Sequence, residues 1–360
     1  MRLKYHIFIL ILVSYSCSDD LINEEFSNNP VDNFESVWTE YDKTYGAFEA
    51  KKINWDSLYK VYRPMINKTS SDADLYNVLC SLLTNLNDGH VQLIAPNFQK
   101  YYSVPLRTIY PDSKYYESAT NINYLFLAVK SFYLIDIVED GNFIYGTIKT
   151  RMFSKNIKYI RIPTFNEEEF KYNFIKEALK KLKGSDGVII DLRFNGGGST
   201  QTYTNFLNHF ADKKRLYLMS KIRNGPKHSD FTNFLYHYIE PVGDKWPSIP
   251  IVVLVNKFSA SSSEHFVLGI KSLPYTKIVG DTTYGALSTV IEKIMPNGWL
   301  YRTCPQVVYD TLGNYLTDSK GRYLDGIGIA PDIKAINYLY ELKRGYDNVL
   351  EKAIDILYTK

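Results

Sequence analysis

An α/β fold is predicted for most of this 360-residue chain, and three observations predict it. Two apolar runs, Gly187 to Ile190 and Ile249 to Val255, read as buried strands. Each is followed by a turn and then by a segment with helical periodicity. From residue 157 onward, strand patterns alternate with helix patterns, which implies a sheet covered by helices.

Taken in order, residues 1–17 read as a signal peptide. Arg2 and Lys4 precede the apolar run Ile7–Val13, which is too short for a bilayer span of roughly 20 residues. Ser16-Cys17 looks like a bacterial lipobox, in which the cysteine becomes the lipidated N-terminus, although Ser14 stands where a leucine is usual. Ser18-Asp19-Asp20 resembles the acidic export tag of some Gram-negative surface lipoproteins. The expectation is a palmitate-type lipid anchor on Cys17 and a place in the cell envelope, at the outer membrane. Residues 18–30 are a polar tether.

Residues 31–90 read as a small helical subdomain. Phe34, Val37, Trp38 and Tyr41 share one face, with Asp32 or Asn33 as cap. Asp56–Ile66 and Asp74–Leu86 repeat the pattern, and the region ends in Asp88-Gly89-His90. Residues 91–156, rich in aromatics and in Gly and Asn turns, read as β-rich. Residues 157–360 are the α/β core. Its expected strands are Tyr159–Pro163, Val188–Leu192, Arg215–Ile222, Ile249–Val255 and Ile278–Gly280. Its expected helices are Glu167–Lys183, a segment ending near Phe210, Ser261–Leu273 and Asp347–Tyr358, with hairpins in 287–325.

Composition excludes some functions. The net charge is +3, and removal of Arg2 and Lys4 with the leader lowers it to about +1. That field is too weak to argue for nucleic acid or an anionic surface. Cys80 and Cys304 make no disulfide framework and no zinc spacing, so no metal or organic cofactor is expected.

Chemistry concentrates in two stretches. Asp191-Leu192-Arg193-Phe194-Asn195-Gly196-Gly197-Gly198 offers bare amides at a strand-to-helix turn. Asn256-Lys257-Phe258-Ser259-Ala260-Ser261-Ser262-Ser263-Glu264 offers a serine at a helix start. Acyl transfer needs both an attacking oxygen and N–H donors where negative charge develops. Each has a plainer reading alone: Ser261-x-x-Glu264 is a capping box, and glycines after a strand permit a tight turn.

The combination carries more. The two stretches lie in order with Leu86-x-Asp88-Gly89-His90, Tyr159-Ile160-Arg161-Ile162-Pro163, Gly280-Asp281-x-Thr283-x-Gly285 and Gly326-Ile327-Gly328-Ile329-Ala330-Pro331-Asp332. The series resembles the tail-specific (carboxy-terminal processing) protease family, which includes the tricorn core protease. That resemblance implies a crotonase/ClpP-like spiral of β-β-α units and a serine peptidase acting on protein or peptide substrates. It makes Ser261 the nucleophile. It takes the oxyanion donors from the amides of Gly197 (or Gly196) and Ser262.

Two departures stand out. The family's lysine base would fall at Ala286, so the resemblance points instead to the tricorn-like histidine, here His90. Asp325 is the expected orienting acid, where tricorn-like relatives carry a glutamate, with Asp88 and Glu264 as alternatives. The segment that usually holds a PDZ domain shows no carboxylate-binding loop. Retinoid-binding relatives show that such a scaffold can also serve as a non-catalytic carrier, and the missing lysine gives that alternative weight.

Overall fold

The computed structural model describes residues 26–103, 122–149, 155–243 and 245–359. The signal peptide, Cys17 and most of the tether lie outside them. Helices α1 (Pro30–Thr44), α2 (Trp55–Tyr62) and α3 (Asp72–Thr84) come first. The cap of α1 is Asn29, whose side chain accepts from the amides of Val31 and Asp32, rather than Asp32 or Asn33. Pro30 explains the earlier start, because its ring presets φ and it has no amide to satisfy. Phe34, Val37 and Tyr41 are buried as the spacing predicts.

Strands β1 (Gln92–Ile94) and β2 (Tyr101–Tyr102) follow. The next described segment departs from the β-rich expectation. It forms α4 (Ile122–Ala128), which runs into a π-helical turn, Val129–Tyr133, before β3 (Leu134–Asp140) and β4 (Phe143–Ile148). Leu125, Val129 and Tyr133 recur every fourth residue and are buried. That helical stripe outweighs the β propensity of the aromatic residues around it.

The core then runs β5 (Ile157–Arg161), α5 (Tyr172–Leu182), β6 (Gly187–Asp191), α6 (Thr200–Asn208), β7 (Arg215–Ile222) and β8 (Leu235–Ile239). It continues with β9 (Ile251–Val255), α7 (Ser262–Lys271), β10 (Thr276–Gly280), β11 (Ile291–Ile294), β12 (Leu300–Thr303) and β13 (Gln306–Tyr309). Strand β14 (Ile333–Lys334) and helices α8 (Leu339–Leu342) and α9 (Asn348–Thr359) close the chain. Helix α5 begins later than predicted because Asn166 closes a separate turn, accepting from Glu168 and Phe170. Strand β8 was not anticipated, and His237 lies on it.

The α/β class holds. The main sheet has seven strands in the order β14-β10-β9-β6-β5-β4-β3, parallel from β14 to β5 and antiparallel beyond. Both faces are covered, which is why β6 and β9 are unbroken apolar runs. Ile190 and Val253 enter the core that includes α1, α3, α5 and α7, while Ile189, Val252 and Leu254 enter the core under α9. Two antiparallel sheets, β11-β12-β1-β2 and β13-β7-β8, complete the molecule.

A buried ionic knot closes the end of β6. Arg193 donates to Asp191 at 2.6 Å and to Asp347 at 2.9 Å, and Tyr159 donates to Asp191 at 2.7 Å. Asp191 therefore pairs with an arginine, as its place in a buried strand requires. Since β6 and β9 lie side by side, with Asp191 opposite Leu254, the glycine turn and the serine loop leave the sheet together. Carboxyl ends of parallel strands are where such sheets place their sites.

Candidate active site

The serine loop is built by backbone satisfaction. Asn256 Oδ1 accepts from the amides of Phe194 and Phe258, both at 3.1 Å, which ties the serine loop to the glycine turn. Three hydroxyls of the serine run are committed to that turn. Ser259 donates to Leu192 O at 2.8 Å, Ser262 to Gly198 O at 2.6 Å and Ser263 to Asn195 O at 2.9 Å. The hydroxyl of half-buried Ser261 makes no bond to the glycine turn; it lies at the start of α7, where the Glu264 amide donates to the Ser261 carbonyl at 2.8 Å. Ser261 sits at φ 57°, ψ −122°, a conformation that costs an L-residue about 1–3 kcal/mol.

Glu264 supplies the other half of the expected capping box and much more. Its carboxylate accepts from the amides of Ser261 (3.0 Å), Gly285 (2.8 Å) and Ala286 (2.7 Å) and from the Thr283 hydroxyl (2.6 Å). One buried side chain thus fixes the nucleophile's backbone and the 283–286 loop. Burial still pushes the Glu264 carboxyl upward against these donors. The role as orienting acid is closed to it, since both oxygens are occupied.

The oxyanion expectation needs a correction. A Cβ on Gly197 would lie 2.7 Å from Ser261 Cβ and 2.9 Å from the Ser262 nitrogen, so the turn does touch the nucleophile. At φ 99°, however, the Gly197 amide turns back to Asn195 Oδ1 at 2.9 Å. Fully buried Asn195 pins the turn, its Nδ2 donating to Ile162 O at 2.9 Å. Among the described residues the amides of Gly196 and Ser262 have no hydrogen-bond partner, so these remain open to an oxyanion.

His90 arrives from the helical subdomain. A Cβ on Gly89 would lie 2.5 Å from Gly285 O and 2.8 Å from Ala286 Cβ, a close approach that only glycine allows. His90 is thereby seated on the loop that Glu264 holds. Burial lowers the basicity of His90, with Asp88 opposing, so the imidazole is neutral at pH 7. Its Nδ1 is buried without a partner among the described residues. No hydrogen bond joins the Ser261 hydroxyl to the ring.

The acids behind His90 divide their roles. Asp88 Oδ1 accepts the His90 amide at 2.9 Å, and Oδ2 accepts from Tyr45 at 2.9 Å, with Lys51 at 3.6 Å. Burial opposes its ionisation, but Lys51, the His90 amide and Tyr45 outweigh it and hold the carboxyl below its usual range. Asp325 Oδ2 accepts from the Ser288 amide at 3.2 Å, and Oδ1 is buried and unpaired. Burial, with Asp88 nearby, pushes Asp325 well above the usual range. The expected Asp325–His90 hydrogen bond is absent. Aspartate is one methylene shorter than glutamate, and here it ends on Ser288. Ala286, at the family lysine's place, is buried and offers no base.

Two site residues escaped the sequence reading. His265 Nε2 donates to Leu287 O at 2.7 Å, and Gln306 bonds the Ser288–Thr289 segment and Ser220. The only sequence signal for Gln306 was a polar residue heading an apolar strand. Among the described residues no cluster of His, Cys, Asp and Glu could hold a metal ion.

A strained serine at a helix start, beside open main-chain amides, fits the class of serine hydrolases on an α/β sheet. The comparisons agree: residues 156–335 match peptidase family S41, and residues 27–84 match the tricorn protease C1 domain. The chain belongs to peptidase family S41, a serine peptidase family. It is 31% identical over 180 residues to the carboxy-terminal processing protease CtpB of Bacillus subtilis (strain 168), covering 49% of this chain and 34% of that one. It is 24% identical over 235 residues to the tricorn protease of Thermoplasma acidophilum, covering 62% of this chain and 19% of that one. The chain therefore spans about a third or less of the length of these curated relatives. A solved protein of Parabacteroides merdae ATCC 43184, provisionally designated a peptidase, aligns over 92% of this chain and 97% of its own. Its TM-score is 0.75 and its identity 26%. Mature CPAF, at 12% identity and TM-score 0.67 over 91% and 96% of the two chains, shares the fold.

Proposed function

We propose that this chain is an exported serine peptidase, tethered to the outer membrane through lipidated Cys17, that hydrolyses peptide bonds by acyl-enzyme chemistry. The observation that carries the reading is the Ser261 hydroxyl, the one in its run that does not bond the glycine turn while Ser259, Ser262 and Ser263 hold it. Ser261 Oγ attacks the substrate carbonyl as His90 takes its proton. The Ser262 and Gly196 amides receive the charge on the carbonyl oxygen. His90 returns the proton to the departing amine, leaving an acyl ester on Ser261. Water, deprotonated by His90, then releases the acid product. One oxyanion donor of this kind contributes about 3–4 kcal/mol in the transition state.

A fluorophosphonate probe tests this directly. Wild-type protein should be labelled and Ser261→Ala should not. A carrier on the same scaffold, the reading that buried Ala286 favours, would take no label in either form. Metabolic labelling with a radioactive fatty acid, lost in Cys17→Ser, tests the anchor.

A further inference from the structure

Residues 85–90, which carry His90 away from α3, belong to no helix or strand, so their carbonyls need other partners. One side chain supplies two of them. Lys51 Nζ donates to Leu86 O and to Asn87 O, both at 3.0 Å, and lies 3.6 Å from Asp88 Oδ2. Asp88 passes the connection on, since its Oδ1 accepts the His90 amide at 2.9 Å. Lys51 is itself fixed in a tight turn, where its amide donates to Ala47 O at 3.0 Å and the Ile53 amide to Phe48 O at 2.8 Å. Its side chain is only 8% exposed, which a lysine tolerates when it is committed to partners.

We infer that Lys51 is a positioning residue for the base: its ammonium grips the three residues that precede Gly89-His90 and so fixes where the imidazole is delivered. This rests on the Ser261–His90 reading above. Hydrogen bonds from a charged donor are roughly twice as strong as neutral ones. The loop needs such a grip, because Asn87 is held at φ 42°, in the left-handed region. Burial opposes the ionisation of Asp88, and Lys51 comes first among the groups that outweigh it. Two carbonyls and a carboxylate thus converge on one ammonium, and its loss would release three consecutive residues at once. The ammonium also has a replacement route. A cavity of about 280 Å³ lies beside it, with Lys51, Asn87, Tyr323 and Asp325 in its wall. Asp325 Oδ1 is buried without a partner among the described residues, a further acceptor for a cation. Truncating the lysine enlarges that space and leaves room for a short alkylammonium ion.

The test removes the ammonium and then returns it. In Lys51→Ala, kcat for peptide cleavage and the rate of fluorophosphonate labelling of Ser261 should both fall at least about a hundredfold, with KM changed less than about threefold. Lys51→Met keeps the apolar stem and should show the same loss. Ethylammonium chloride should raise the labelling rate of Lys51→Ala at least about tenfold, with saturation. Tetramethylammonium chloride at the same concentration carries the charge but no N–H, and should not. Lys52→Ala, at the exposed neighbour, should keep wild-type rates. Urea unfolding of each full-length variant runs alongside, because a lysine that only closed the end of α3 would lower stability and leave the labelling rate of the folded protein unchanged. Wild-type labelling in folded Lys51→Ala and Lys51→Met overturns the inference. So does a slow rate that ethylammonium does not lift, equal rescue by tetramethylammonium, an equal loss in Lys52→Ala, or failure of both Lys51 variants to fold with the amine present. Failure of wild type to label at Ser261 would instead refute the functional reading beneath it.

Discussion

The two halves of the site are built on opposite terms. Around Ser261, Glu264 receives four donors, Asn256 two amides, and three neighbouring hydroxyls each close onto the turn. Around His90, the Nδ1 of the ring and Oδ1 of Asp325 are buried without partners among the described residues. Buried polar atoms ordinarily find partners, so orphans mark places where structure is reserved for another state or another group. The nucleophile side carries the denser set of bonds and can hold a strained serine, although Asn256 Nδ2 and His265 Nδ1 are also buried without partners among the described residues. The base side, delivered by a loop from a separate helical region, has atoms left to use when substrate arrives.

The largest effect should come from unmaking the more densely bonded half. Glu264→Ala removes one carboxylate and strands four donors in the interior, each worth about 1–3 kcal/mol when unsatisfied. A loss of about 4 kcal/mol or more, measured by urea unfolding, is expected, together with loss of Ser261 labelling. A loss under 1 kcal/mol would mean the loop is held by other means. Gly197→Ala comes next. The new methyl would meet Ser261 Cβ at 2.7 Å in a backbone held at φ 99°. A destabilisation of about 2–3 kcal/mol is expected, with the serine displaced and labelling slowed at least about a hundredfold.

The base half should show itself in pH dependence. Burial lowers the folded-state pKa of His90 and His265, and it takes His237 down to about 4. An unfolded histidine titrates near 6.5. Below that pH the unfolded chain binds more protons than the folded one. The stabilisation is complete above pH 6.5 and is lost as pH falls through the folded values. Asp325, raised by burial, acts in the opposite direction: it favours the folded state at low pH and loses that contribution as pH rises through its folded pKa. The histidines should dominate between pH 6.5 and 4, with a fall of about 1–3 kcal/mol in unfolding free energy over that window. Peptide cleavage should rise with pH along a limb centred below 6.5, since only neutral His90 can accept the proton. A limb above 7 would exclude a buried imidazole as base.

The contrast also explains what the sequence could disclose. Strands β6 and β9 were legible because both of their faces are buried, which writes an unbroken apolar run. Ser261 and the glycine turn were legible because a tight strand-to-helix junction restricts residue type. The seating of His90 on the 285–286 loop was not, since it depends on two segments far apart in sequence meeting where Gly89 closes onto Gly285 and Ala286. Gly197 was expected as an oxyanion donor, but its amide direction depends on φ and on Asn195, and neither is written in a glycine run. Strand β8 hid because Leu235, Tyr236 and Tyr238 are exposed, so its side chains do not alternate between solvent and core.

The smallest predicted effect separates two adjacent glycines. Gly196 is exposed, lies outside the left-handed region, and a Cβ there would meet nothing within 4 Å. Alanine restricts the unfolded chain more than glycine does, and where the native backbone suits it the folded state gains about 0.4–1 kcal/mol. Gly196→Ala should therefore be neutral or slightly stabilising by urea unfolding, one residue away from a substitution that costs several times as much. A matching loss at both positions would mean that the turn demands glycine throughout for flexibility. The expected split would instead locate the demand in one close contact, between the Gly197 backbone and the Ser261 side chain.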